Sequence, residues 1–404
     1  VERNIIHLDL DAFFVAVECK KNRKLQGRPL IIGGSSRRGV VAACSYETRE
    51  FGVHSAMPMY LALQLCPDAV VISGDMEAYS QASHDVTEIV AEEAPAFEKS
   101  SIDEFYIDAS GLDKYFGAFK WATELRKKII RHTALPISLG MSVNKLVSKV
   151  ATGEFKPNAE AQILPGTEKE FLAPLTVDKI PMIGKQTSSF LYDMGVRTVQ
   201  TLREMPVQFL VSAFGKNGLS LWNKAHAIDP SPVVPYTEQK SISTECTFDA
   251  DTIDVAKLKS VLIAMVEKVA FNLRDQKKLA SCVTVKIRYA NFDTETKQVQ
   301  VPYTASDHTL LKTVLELFKR LYNRRMLIRL VGVRLSGLVY GNYQINLFDD
   351  TAEDINLYQA IDYIKHKHGV EKLMRANTIE VNKRVRMELN MFKGPANPLK
   401  GVYN

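Results

Sequence analysis

The chain has 404 residues, more than one ordinary hydrophobic core accommodates, so two to four domains are expected. Hydrophobic residues at 46% and charged ones at 24% are the proportions of a globular protein rather than a disordered one, and no apolar run reaches membrane-spanning length. A net charge of +6 permits a polyanionic partner without requiring one. The five cysteines, Cys19, Cys44, Cys66, Cys246 and Cys282, have no C-x-x-C spacing and read as reduced thiols of a cytoplasmic protein. Residues 1–4 lead straight into a strand with no signal-peptide pattern, and no repeat or low-complexity block stands out.

The pattern predicts a buried strand over residues 4–10, turning into a helix from Ala12. Asp11 is well placed to cap that helix. Asp9 still lies within the strand, as a buried acid with a protein partner or as an acid delivered to a cleft mouth. Strands are then expected over 29–34, 39–45 and 69–73, and helices over 46–52, 59–66 and 75–93. Helix 119–132, strand 137–143 and helix 145–152 follow, so residues 1–165 read as α/β or α+β.

Between the strands 97–101 and 104–109 lies Ser101-Ile102-Asp103-Glu104. Adjacent strand side chains point to opposite faces, so Asp103 and Glu104 converge only at a strand start, bend or turn. Burying even a neutral polar group unpaired costs roughly 2–7 kcal/mol, so apolar neighbours on both sides call for a cationic partner. Lysine or arginine partners would serve, and so would a hard divalent cation with oxygen ligands. A hairpin beside the strand ending in Asp9 would bring three carboxylates to one point.

Residues 166–235 carry no convincing strands. Their Ile180-Pro181-Met182-Ile183-Gly184-Lys185 turn reads as a plain helix connection or as a helix-hairpin-helix offering backbone N–H groups to a phosphate. Residues 229–240 are proline-rich and polar, a linker. From residue 241 the order is strand 241–248, helix 254–276, strands 280–289 and 298–303, helix 307–323 and strand 328–339, a βαββαβ module. Its strands carry Lys286, Arg288, Arg329 and Arg334, and Arg274, Lys277, Lys278, Lys319, Arg320, Arg324 and Arg325 surround them. Such groups suit tracking of a phosphate backbone or serve as ordinary solubilising charge. Gln344-Ile345-Asn346-Leu347-Phe348 offers apolar anchors to a partner's pocket. A helix over 354–367 and a mobile basic tail with Arg375, Lys383, Arg384 and Arg386 end the chain.

Leu8-Asp9-Leu10-Asp11-Ala12-Phe13-Phe14, Tyr46-Glu47-Thr48-Arg49-Glu50-Phe51-Gly52-Val53, Ser101-Ile102-Asp103-Glu104 and Lys156-Pro157-Asn158 occur in this order. Together they resemble the Y-family translesion DNA polymerases, most closely the bacterial DNA polymerase IV-like branch, from about Asn4 to Phe348. The resemblance implies an α+β multidomain right hand with a ferredoxin-like palm, small fingers, a helical thumb and a βαββαβ little finger. The palm would be 1–11 and 75–165, the fingers 12–74, the thumb 166–235, the linker 236–240, the little finger 241–340 and the tail 341–404.

The implied activity is low-fidelity, template-directed addition of deoxynucleotides to a primer 3′ end, in translesion synthesis, DNA repair and replication. Two Mg2+ ions would sit on Asp9, Asp103 and Glu104. Tyr46, Arg49 and Lys156 would hold the incoming deoxynucleoside triphosphate, helped by the backbone around Phe13. Phe14 matches the steric gate that refuses a 2′-hydroxyl, although in helix phase core packing suits Phe13 equally. Val40 and Ala42 match the roof over the nascent base pair, a low roof that weakens shape checking. Ile183, Gly184, Lys185, Lys286, Arg288, Arg329 and Arg334 would face primer-template DNA. Gln344, Leu347 and Phe348 match the motif that docks on the sliding clamp, raising effective concentration at the primer end. A monomer without membrane attachment is expected.

Two positions depart from the family pattern. Ala159 replaces the glycine of Lys-Pro-Asn-Gly, so the loop is expected to lack a positive-φ turn after Asn158. Met182 replaces the first glycine of the hairpin, where a side chain hinders phosphate approach. Two other classes fit parts of the pattern. A catalytically dead relative that only binds the clamp would be marked by loss of a metal carboxylate, yet all three are present. An enzyme acting on free nucleotides, as cyclases do, would leave the hairpin, the basic module and the pentapeptide without purpose.

Overall fold

The computed structural model of the protein describes residues 3–34, 38–112, 117–341, 352–370, 372–379 and 381. They form two compact units, one running to Thr237 and the other starting at Glu238. The pentapeptide 344–348 and the basic residues Lys383, Arg384 and Arg386 lie outside the described residues.

In the first unit the strand Ile5–Leu10 is the middle of a five-stranded sheet. It pairs antiparallel with Glu104–Asp108 on one side and with Ile137–Ser142 on the other. Its two faces differ, as strand alternation requires. Ile6, Leu8 and Leu10 join Phe105 and Ile107 in a core closed by Tyr79, Val86 and Val90 of helix Met76–Glu93 and by Ala122, Leu125 and Ile129 of helix Ala118–Thr133. On the other face His7 meets helix Lys145–Phe155, its Nδ1 2.9 Å from the Thr152 hydroxyl. That helix lies unusually close to the sheet. A Cβ on Gly140 would stand 2.3 Å from the Ser148 carbonyl oxygen and 2.7 Å from the Thr152 nitrogen, so only glycine allows the approach.

A smaller sheet, in the order Val41–Cys44, Leu30–Gly33, Val70–Ile72, packs around Ile31, Val41, Cys44, Met59 and Ala62. Residues 168–225 are helical, built on Leu172, Ile180, Ile183, Leu191, Leu202 and Leu210. The stretch expected to act as a linker from residue 229 is tied down over its first part. Arg3 donates to the Ser231 carbonyl at 2.7 Å, Leu146 N–H to Asp229 Oδ2 at 3.0 Å, and Val234 N–H to Glu98 Oε2 at 2.8 Å.

The second unit follows the expected βαββαβ order and interleaves two split β-α-β elements. Its sheet runs Thr294–Thr304, Lys278–Tyr289, Ile328–Tyr340, Ser241–Thr252, every neighbouring pair antiparallel. Helices Val255–Asp275 and Asp307–Leu321 cover one face.

Three expectations change here. Helix Ala352–His368 is a docked part of the unit, and Arg274 is an internal residue rather than surface charge. Arg274 is 4% exposed and pairs with Asp307 at 2.5 Å and with Asp362 of the docked helix at 2.7 Å, beside the Tyr358 ring. Tyr358 is buried, its hydroxyl accepting from His308 N–H at 3.1 Å. Arg375, expected in a mobile tail, lies 3.0 Å from Glu267. Removing one partner of a buried charge strands the other, so Asp362→Ala should destabilise this unit by about 2–3 kcal/mol. The check is thermal melting with limited proteolysis of the 352–368 helix; an unaltered melting temperature and cleavage pattern would rule out the latch.

Candidate active site

The site grows out of the pairing between the first strand and the acidic hairpin. Asp9 stands directly opposite Glu104 across the ladder. Regular strand begins at Glu104, so Asp103 lies in the turn and is freed from alternation. Leu10 N–H donates to the Asp103 carbonyl at 3.1 Å, and Ser100 N–H to the Glu104 carbonyl at 3.1 Å, fixing the hairpin's end beside the end of the first strand. The three carboxylates therefore come from adjoining backbone.

Each carboxylate has its own partner. Lys156 lies 2.6 Å from Asp9. Lys149, on the helix that Gly140 admits to the sheet, donates to both Glu104 oxygens at 2.6 Å. The Ser101 hydroxyl donates to Asp103 at 2.5 Å. Among the described residues, no three acidic, histidine or cysteine side chains converge as a ready-made metal cage. The site nonetheless gathers the carboxylates of Asp9, Asp103 and Glu104 at one end of the paired strands. Burial, with Glu104 and Asp103 nearby, pushes the Asp9 carboxyl up to about 7 even though Lys156 acts the other way. An excess of hard oxygen donors suits a divalent cation of the magnesium type.

Asp11 does not cap the following helix; Ala12, in the left-handed conformation at φ 42°, occupies that place. Asp11 is buried, accepts from the Ser138 hydroxyl at 2.8 Å and from Asn158 N–H at 2.8 Å, and lies 3.6 Å from Lys156. It thus anchors the Lys156-Pro157-Asn158 loop to the strand ends. In that loop the positive φ, 51°, falls on Asn158. Ala159 needs no such conformation, which corrects the expectation that its side chain removes the turn.

Phe13 is 3% exposed in the core, which leaves its backbone for a nucleotide contact. Phe14 stacks on Tyr79, ring centres 4.3 Å apart and planes at 11°. Tyr79 is itself held by its hydroxyl, which donates to Glu18 at 2.7 Å. The Arg49 guanidinium lies over the Tyr46 ring at 4.6 Å. Burial, then the charges of Asp11 and Asp9, push the Tyr46 phenol up to about 12, with Arg49 acting the other way. Val40 and Ala42 are both exposed, two residues apart along one extended segment.

Ile183 is a core residue, which leaves only its backbone for a ligand, whereas Gly184 and Lys185 are exposed at the start of helix Lys185–Asp193. Met182 takes the left-handed conformation, φ 70°, with 93% of its surface exposed. In the second unit Lys286, Arg288 and Arg334 share the sheet face away from the helices, since Thr284 is opposite Arg334 and Lys286 opposite Gly332. Lys286 is paired with Glu245 at 2.8 Å, and Arg329 lies over the Phe292 ring.

Sequence reasoning missed Lys149, Tyr79 and the anchoring role of Asp11. Lys149 follows Lys145 by one helical turn, a signal of shared face but not of what the face meets. No helix among the described residues is long and apolar enough to cross a membrane.

The chain is similar to known proteins over most of its length. Residues 8–153 match the model of the impB/mucB/samB family, and residues 239–347 that of the same family's C-terminal domain. A DNA polymerase IV of Dehalococcoides mccartyi (strain CBDB1) is 36% identical over 93% of this chain and 97% of its own length. A DNA polymerase IV of Streptococcus pneumoniae serotype 4 is 38% identical over 83% of this chain and 97% of its own length. Among solved structures, a Y-family DNA polymerase chimera of Dbh and Dpo4 superimposes with a TM-score of 0.74 at 25% identity, covering 84% of this chain and 100% of that one. From its motifs, its paired acidic strands and these matches over nearly its whole length, the chain belongs to the impB/mucB/samB family, the Y-family of DNA polymerases.

Proposed function

We infer that the translesion DNA synthesis of this family is carried out here at the floor made by Asp9, Asp103 and Glu104, with two Mg2+ ions. The observation that carries this reading is the register that sets Asp9 opposite Glu104 with Asp103 in the adjoining turn, which gathers three carboxylates at one strand end. Two cations held there would supply positive charge to the attacking 3′-oxygen and to the leaving pyrophosphate. The protein's own share is positioning and charge. Arg49, with its forked donors, and Lys156 bind triphosphate oxygens. Lys149 and Lys156 hold carboxylate charge in place beforehand. The 3′-oxygen bonds to the α-phosphorus as the bond to pyrophosphate breaks, with primer, template and nucleotide already aligned.

Phe14, backed by the Tyr79 ring, is the steric gate: a ring fixed by stacking cannot move aside for a 2′-hydroxyl. Val40 and Ala42 form the roof. Gly184, Lys185, Arg288 and Arg334 contact the DNA backbone, as does Lys286 on release from Glu245. Gln344, Leu347 and Phe348 dock on the sliding clamp, a role supported by their sequence pattern alone.

Asp103→Ala or Glu104→Ala should abolish primer extension and leave DNA binding within about threefold of wild type; retained synthesis would remove these residues from the centre. Phe14→Ala should admit ribonucleotides, raising their incorporation by on the order of a hundredfold or more, since a steric block worth 2.7 kcal/mol or so is lost. Sugar discrimination that stays put would reject the gate. Deleting 344–348 should eliminate stimulation by the clamp while basal extension persists, and equal stimulation of both forms would refute docking.

A further inference from the structure

Beside the acidic hairpin sits a polar cluster that the mechanism above does not use. Ser83 and Thr87 of helix Met76–Glu93 are 1% and 2% exposed. The Ser83 hydroxyl donates to the carbonyl of Ile102, the residue before Asp103. Lys99, at the foot of the hairpin, donates to Ser83 Oγ at 2.7 Å and to Thr87 Oγ1 at 2.7 Å, with its ammonium 5.5 Å from the centre of the Phe105 ring. The Thr87 hydroxyl in turn donates to the Ser83 carbonyl at 2.6 Å.

The direction of these bonds follows from donor count. A serine hydroxyl has one proton and two lone pairs. An ammonium has only donors, so it occupies a lone pair of Ser83 Oγ and leaves the serine proton for the Ile102 carbonyl. The Ile102 carbonyl can only accept, so the hydroxyl donates to it whatever stands at position 99; a neutral or shortened side chain there would leave the hydroxyl free to turn to another acceptor. Lys99 makes no ion pair among the described residues; its acceptors are hydroxyls and a carbonyl, and burial lowers its ammonium to about 8 while the charge of Asp103 opposes that shift. Desolvating a lysine against neutral acceptors is an unfavourable way to fill space, and an apolar residue would pack there with less cost.

We propose that Lys99 and Ser83 are positioning residues of the polymerase centre, the ammonium setting the serine hydroxyl and the hydroxyl holding the Ile102 carbonyl so that Asp103 is presented at a fixed angle. Two further backbone restraints act on Asp103: Leu10 N–H donates to its carbonyl from the opposite strand, and its own N–H donates to the Ser101 hydroxyl at 3.3 Å. Neither holds the Ile102 carbonyl, which is the share of Ser83. The inference rests on Asp103 belonging to the catalytic centre.

The test uses the full chain with Lys99→Met, Lys99→Arg and Ser83→Ala. Single-turnover incorporation separates the maximal rate from nucleotide affinity, and amide hydrogen exchange of Leu10 and Ser100 in metal-free protein reads the hairpin directly. Lys99→Met and Ser83→Ala should each lower the maximal rate about ten- to a hundredfold, as small misplacements of reacting groups do. Nucleotide and DNA affinities should stay within twofold, the two amides should exchange faster, and Lys99→Arg should restore the rate. Unchanged rate and exchange in Ser83→Ala would overturn the proposal. So would a loss that Lys99→Arg fails to lift and that tracks a lowered melting temperature, since that marks packing alone. Failure of the site assignment is read separately, as synthesis retained by Asp103→Ala.

Discussion

The constraint on which the first unit depends is the antiparallel pairing of Ile5–Leu10 with Glu104–Asp108. It forces Asp9 and Glu104, two like charges, into facing positions at the end of a strand whose other residues are fully buried. Like charges opposite one another destabilise a ladder. The fold tolerates this because the apolar residues on either side pack two helices against one face, and because Lys149 and Lys156 reach the other.

Helix Lys145–Phe155 links the two faces of that arrangement. Its contact with Gly140 brings it down to the sheet, Thr152 joins it to His7, and Lys149 falls over Glu104. His7 is driven well below its usual range, chiefly by burial and then by the neighbouring lysines, so it stays a neutral hydrogen-bonding spacer. A side chain larger than hydrogen at Gly140 would meet the backbone of Ser148 and Thr152, so the helix that carries Lys149 would have to shift.

Much of this was legible in the sequence, for definite reasons. Strand periodicity and the rule that adjacent side chains diverge located Asp103 at a turn, and the buried context of Asp9 marked it as more than a surface acid. The alternation of elements and the βαββαβ order of the second unit also came from pattern. What escaped were long-range partners. Asp11 looked like a helix cap because the cap signal is local, whereas Ser138 and Asn158 are brought to it only by the folded sheet. Phe13 and Phe14 are indistinguishable by composition, and only the angle at which Ala12 starts the helix buries the first and leaves the second on Tyr79. Arg274 was counted as surface charge because its two aspartates lie 33 and 88 residues away.

The docked helix Ala352–His368 bears on where this polypeptide can be trimmed. Its tyrosine and aspartate fill a seat formed by the ends of two other helices, so a shortened version stopping after the last strand would carry an open notch and a half-neutralised guanidinium inside it. The minimal self-sufficient form of the second unit is therefore larger than its sheet and covering helices, and extends at least through residue 368.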